Sequence, residues 1–187
     1  GLINIPSARF YNEGSYGFTL YDGEPDQKAT FTASPYNWLE ASVFYMNIQG
    51  MPYPGFEYQD YKDKGFNFKI RLKEEGIFPA VAIGINDLAG TGYYSSEYVI
   101  ASYGINNLDI HFGLGWGELN GRRDLKNPLI YFDDSFKNRS PDLGVGGSLD
   151  IEKYFSNEEA TVLFGLSYLL GDNLLLKFER DPVNTPG

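Results

Sequence analysis

The 187-residue chain predicts an all-β fold, an antiparallel transmembrane β-barrel of about ten strands, standing alone or as part of a larger or two-barrel protein. Three observations predict it. Apolar and polar residues alternate with period two along most of the chain, the signature of strands with two unlike faces. Aromatics make up 17% of the sequence, with 15 Tyr and 14 Phe, and glycine reaches 22, which suits pleated surfaces and tight turns better than helices. No apolar run approaches the roughly 20 residues of a spanning helix, so a closed barrel is the one remaining way to cross a membrane.

The elements follow in chain order. Ser15–Tyr21, Lys28–Ala33 and Trp38–Ile48 read as the first three strands. The fourth, KGFNFKIRLKE from Lys64, is the cleanest: Phe66, Phe68, Ile70 and Leu72 share one face, and Asn67, Lys69, Arg71 and Lys73 the other. Phe78–Asp87 and Tyr93–Tyr103 come next. LDIHFGLGWG then sets Leu108, Ile110, Phe112, Leu114 and Trp116 against Asp109, His111 and three glycines. Leu143–Phe155, Ala160–Leu170 and Asn173–Asp181 alternate in the same sense. Glu75-Gly76, Asn106-Asn107 and Gly171-Asp172 are turn pairs, while Gln49–Asp63 and Glu118–Asp142 are long, polar connections. Short turns alternating with longer loops fit an outer-membrane barrel. No internal boundary interrupts the pattern, so residues 1–187 form a single β-barrel domain.

Pairing across hairpins suggests which face is inside. A two-residue Glu75-Gly76 turn places Arg71 opposite Ala80 and Lys69 opposite Ala82. Tyr103 opposite Asp109 brings Glu97 to Gly115, and Lys177 falls opposite Gly165. Long charged side chains thus confront Ala or Gly, as in a narrow barrel interior, while the other face is apolar. Phe66, Phe68, Ile70, Leu72, Ile110, Phe112 and Leu114 are expected to face lipid. Glu97, lying in the aromatic run GINDLAGTGYYSSEYVIASYG, becomes an interior residue. Lys69, Arg71, Lys73, Glu97, Asp109, His111, Asp150, Glu152, Lys177 and Glu179 are the expected lumen charge network. Buried charges persist when paired, so the network should fill the lumen.

Composition excludes several functions. A net charge of −10 without a basic patch argues against nucleic acid, and with no cysteine there is no disulfide or thiolate metal site. His111 is the lone histidine, two residues from Asp109; the pair reads as polar filling rather than an acid–base couple, and no metal-ligand spacing surrounds it. No cofactor is implied. Gly113–Gly117 lies within an alternating strand and lacks the following helix of a phosphate loop. Gly90-Thr91-Gly92 reads as a turn. Trp38, Tyr93, Tyr94, Trp116, Tyr154 and Phe155 sit near strand ends, where an aromatic girdle belongs. Tyr53, Tyr58 and Tyr61 are loop aromatics able to stack on sugars. The opening residues LINIPSARF lack the charged and apolar regions of a signal peptide.

NDLAGTGYYSSEYVIASYGI, preceded by DKGFNFKIRLKEEGIFPAVAIGI and followed by LDIHFGLGWG, resembles the YjbH-type family of exopolysaccharide-biosynthesis outer-membrane proteins. The opening GLINIPSAR and the strand pair ATVLFGLSYLLGDNLLLKFERD are similar to the same family, and GTG-x-x-x-SEY is the most specific segment. The resemblance implies an outer-membrane β-barrel of a Gram-negative bacterium associated with secreted or capsular polysaccharide. With its lumen filled by charges, the protein is expected to be non-enzymatic and to act in exopolysaccharide or capsule export or surface organisation as an anchor or scaffold. Its expected partners are outer-membrane lipid, polysaccharide and other export-machinery proteins. Members are usually much longer than this chain, and no catalytic residues carry over. A soluble extracellular β-sandwich that binds carbohydrate is the alternative; an enzyme would need a nucleophile beside His111.

Overall fold

A computed structural model describes residues 1–24, 26–53, 56–140 and 151–183. It is all-β, with ten strands: β1 (Ser15–Asp22), β2 (Asp26–Tyr36), β3 (Leu39–Tyr53), β4 (Phe56–Lys73), β5 (Ala80–Leu88), β6 (Ser96–Ile105), β7 (Leu108–Gly117), β8 (Leu125–Lys126), β9 (Glu159–Leu170) and β10 (Leu174–Arg180). All pair antiparallel in the order β1-β2-β3-β4-β5-β6-β7-β9-β10, and the short β8 pairs with β9. β1 and β10 are edges that do not pair with each other, so the sheet is not closed into a barrel. Among the described residues no second sheet packs across it.

The sheet is nevertheless rolled. Seven strand spacings separate β2 from β10, about 34 Å if flat. Yet one cavity of about 300 Å³ is lined both by Lys28 and Phe44, from β2 and β3, and by Asn4 and Val183 beside β10. Only strong curling brings these together. The inner face carries Ala80, Ala82, Tyr98, Ile100 and Leu163, all buried, and Leu2, Ile5 and Ala8 of the N-terminal segment pack on them. A second buried cluster, Phe44, Met46, Ile48 and Tyr61, lies further along β3 and β4.

The strands differ from expectation in three places. Gln49–Asp63 is largely strand, because β3 and β4 extend into a long hairpin on which Met51, Tyr53, Tyr93 and Tyr94 pack against buried Phe44, Met46, Ile48 and Tyr61. The expected strand Leu143–Phe155 falls partly outside the described residues; its end is a 3-10 turn at Ile151–Lys153. Instead β8 lies inside the expected loop Glu118–Asp142, which also holds 3-10 turns at Pro128–Tyr131 and Asp134–Lys137.

Registers also shift. The β4–β5 connection is longer than two residues, so Arg71 faces Ala82 and Lys69 faces Gly84. At the last hairpin Glu179, not Lys177, lies opposite Gly165, and Lys177 meets Ser167. Shifts of two preserve the faces. At β6–β7 the shift is one. Asn106, with φ of 54°, and Asn107 form a tight turn that pairs Ile105 with Leu108, so Glu97 faces Trp116 while Tyr98 and Ile100 face Gly115 and Gly113. Tyr98 and Ile100 therefore point inward, and Glu97 lies on the outer face with Val99 and Ala101.

The residues expected to face lipid do share that outer face. Phe66, Ile70, Leu72 and Phe112 are all exposed large hydrophobics. Phe18 and Leu20 of β1, Phe31 of β2 and Phe178 of β10 continue the band to both edges.

Candidate functional site

The charged inner face is occupied by main chain. Residues 1–11 form no strand and cross the sheet as a strap from β10 to β3. The Glu179 carboxylate accepts the backbone N–H groups of Ile3 (2.9 Å), Asn4 (2.8 Å) and Ile5 (3.2 Å). Lys177 donates to the Leu2 carbonyl at 3.2 Å. Ser102 Oγ accepts Ala8 N–H at 2.8 Å, Lys69 donates to the Arg9 carbonyl, and Glu40 accepts Tyr11 N–H at 3.3 Å. Glu40 also pairs with Lys69. The one ionic grip on a strap side chain is on Arg9: its guanidinium spans Asp109, at 2.8 and 2.6 Å, and Glu75. The Asp109 hydrogen bond, then Glu75, raises its pKa despite the opposing cost of burial.

This changes the meaning of the small residues. A Cβ on Gly165 would meet Ile5 Cδ1 at 2.6 Å and Leu2 Cδ2 at 2.8 Å. One on Gly104 would meet Glu75 Oε1 at 3.3 Å and Arg9 Nη2 at 3.4 Å. The room serves the strap and its clamp rather than the sheet's own charges.

His111 has the neighbour that sequence could not place. Ser102 Oγ lies 2.8 Å from His111 Nδ1, and His111 Nε2 is 3.7 Å from Asp109 Oδ2. The arrangement resembles a nucleophile–base–carboxylate row, but its chemistry is already committed. Ser102 is 1% exposed and its oxygen already accepts the Ala8 N–H, so the hydroxyl lies sealed beneath the strap. Asp109 spends both oxygens on Arg9, and 3.7 Å is beyond a hydrogen bond. The row positions the strap.

The other expected network members scatter. Arg71 pairs with Glu74 at 3.1 Å near the rim, and the Lys73 ammonium lies 4.2 Å from the Phe78 ring centre. Glu152 is exposed in the 3-10 turn. Asp150 lies outside the described residues. Glu97 joins none of the expected cations. It is 0% exposed and bidentate with Arg139, at 2.7 and 3.0 Å, and also accepts Phe155 N–H at 2.9 Å. Arg9, Glu40, Glu74, Glu75 and Arg139, the partners actually used, all lay outside the expected set. Arg9 stands in an aperiodic opening and Arg139 in a polar run with other arginines, so spacing carried no signal for either.

The GTG-x-x-x-SEY segment is a clasp on neighbouring strands. Thr91 Oγ1 donates to Asp63 (2.9 Å), Gly92 N–H to Asp87 (2.9 Å) and Tyr94 O–H to Asp26 (2.8 Å). Ser96 accepts from Asn86 at 3.0 Å. Gly92 has φ of 84°, so the turn reading of Gly90–Gly92 matches its conformation. Of the expected girdle, Trp38 is exposed and stacks on Tyr36 with ring centres 5.5 Å apart. Trp116 and Tyr154 are buried, Trp116 edge-on to Phe155. Tyr58 is fully exposed, whereas Tyr53 and Tyr61 tilt together at 5.7 Å.

The cavity beneath the strap is polar. Besides Lys28 and Asn4 it is lined by Asn67, Asn86, Ser96 and Glu118. Among the described residues no three Asp, Glu or His side chains converge on a metal site. Burial pushes the Glu118 carboxyl, just beyond β7, up to about 7. Its folded pKa thus exceeds the ordinary 4.5, so Glu118 favours the folded state below that value and loses this contribution as pH rises through 7. Glu118→Gln should flatten the fall in stability between pH 5 and 8, measured by denaturant melts at each pH; an unchanged slope would refute it.

The model of the YjbH family, described as an exopolysaccharide biosynthesis protein, matches residues 1–184. The uncharacterized lipoprotein YjbH of Escherichia coli (strain K12) is 33% identical over 173 residues, which cover 90% of this chain and 25% of that protein. The chain thus spans about a quarter of the length of the curated relative it matches. No solved structure matches.

Proposed function

Because the chain belongs to the YjbH family of exopolysaccharide biosynthesis proteins, we propose that it forms wall and filling of an outer-membrane β-barrel serving polysaccharide export or surface organisation. It acts as an anchor or scaffold beside the exporter and performs no chemistry. The observation carrying this reading is the outer face. Large apolar side chains from Phe18 on β1 to Phe178 on β10 stand exposed on it, while the opposite face holds Glu40, Lys69, Asp109 and Glu179. A water-facing sheet with that polarity would be inside out, since an exposed apolar area of this extent marks a partner or lipid.

Rim asymmetry agrees. The 118–158 excursion and the 89–95 loop leave one rim, and the turns at 106–107 and 171–173 leave the other. The lipoprotein description of the Escherichia coli relative fits the same envelope setting. Open edges have no place in hydrocarbon, where each unpaired backbone group costs several kcal/mol, so the reading requires β1 and β10 to be paired with further strands. The committed Ser102 and the strap across the interior support a scaffold over an enzyme or an open pore.

Membrane fractionation of the whole protein tests the assignment. It should stay with outer membranes through carbonate washing and leave only in detergent. Release into the carbonate supernatant would overturn the barrel and favour a soluble carbohydrate-binding protein.

A further inference from the structure

Most polar contacts between the strap and the inner face run from a strand side chain to strap backbone. Glu179 alone takes three consecutive N–H groups, and Lys177, Ser102, Lys69 and Glu40 take one strap backbone group each. Such contacts recognise an extended main chain whatever its sequence. Sequence is read at one main point, where Asp109 and Glu75 enclose the Arg9 guanidinium in a geometry lysine could not fill. Small pockets add to it: Ile5 over Gly165, and Ala8 against Ser102.

We propose that the inner face of this sheet is a binding site for an extended, arginine-bearing peptide segment, and that residues 2–11 are its resident, displaceable ligand. Three features make displacement feasible. The strap contributes no strand, so its departure breaks no ladder hydrogen bond of the sheet. Its apolar anchors are few: Leu2, Ile5 and Ala8 are buried in the inner-face cluster with Phe10 packed against it, while Ile3 is 72% and Tyr11 65% exposed. The face it would vacate carries Glu179, Lys177 and Asp109 beside that apolar cluster and adjoins a polar cavity, so water can solvate the charged groups while an incoming segment refills the apolar seats. The strap is then a plug whose release opens the interior, and a segment carrying arginine behind small apolar residues can take its place. This holds whether the outer face meets lipid or not, so it stands or falls apart from the membrane reading.

The test is complementation in trans. In the whole protein, residues 2–11 are replaced by a glycine–serine stretch of equal length, and a fluorescent peptide GLINIPSARFYN is titrated against it. Saturable binding is expected, at least tenfold weaker for the peptide with Arg9→Ala, and weaker for the intact protein, where the tethered strap competes for the site. A folded replacement protein that leaves the peptide free, or binds both peptides equally, overturns the proposal. Should the replacement fail to fold, the intact chain gives a second measurement. Trypsin must extract the Arg9 side chain to cut after it, so Asp109→Asn with Glu179→Gln should speed that cleavage at least tenfold. An unchanged rate refutes the assigned grip.

Discussion

Arginine at Ile70 or at Phe112 should cost about 2–4 kcal/mol when the protein is refolded into lipid vesicles, the penalty for a charge on a barrel's lipid face near the midplane. The ladder fixes their depth. Ile70 pairs with Ile83, Ile83 with Val99 and Val99 with Leu114, so Ile70 is level with the middle of β6 and β7. Phe112 sits one pleat away, opposite Ala101 and Phe164. Both are exposed on the outer face, Phe112 to 55%. Exposure makes the experiment decisive: in water, a substitution at such a position usually changes stability by no more than about 0.5 kcal/mol. Asn107→Arg, in the exposed turn, provides the comparison. If Ile70→Arg and Phe112→Arg lose no more than Asn107→Arg in denaturant titrations, the outer face does not meet hydrocarbon.

Alternation made the strands and most of their faces legible, since period two assigns each side chain a face without knowing its partner. Register was less so. Asn106-Asn107 announced a turn, but a one-residue difference in pairing moved Tyr98 and Ile100 inward and Glu97 outward. The strap was not legible at all. LINIPSARF has no period, and its contacts reach Glu179 across about 175 positions, a distance no local pattern encodes. The small residues opposite long charges were a real signal with a different cause: Gly165 and Gly104 admit Ile5, Leu2 and Arg9. The interior charges likewise found main chain and Arg9 as partners more often than one another.

Removing the Arg139 side chain should be the most damaging single change outside the strap. Glu97 is buried, and Arg139 holds both its oxygens while also donating to the Lys153 carbonyl and to Ser95 Oγ. Phe155 N–H completes the set, so one carboxylate ties the long 118–158 excursion to the rim of β6. Arg139→Met leaves a carboxylate buried without its counter-charge, a loss of roughly 3–5 kcal/mol in comparable pairs. Glu97→Gln should cost less, because the amide oxygen still accepts while the guanidinium, 15% exposed, can turn towards water. Combined, the two should fall well short of the sum of the singles, since neither charge is then stranded. Proteolysis should show the same order, with the excursion cut fastest in Arg139→Met while the sheet survives. A loss below about 1 kcal/mol for Arg139→Met, or strict additivity in the double variant, would mean that other contacts hold the excursion and that Glu97 is merely tolerated there.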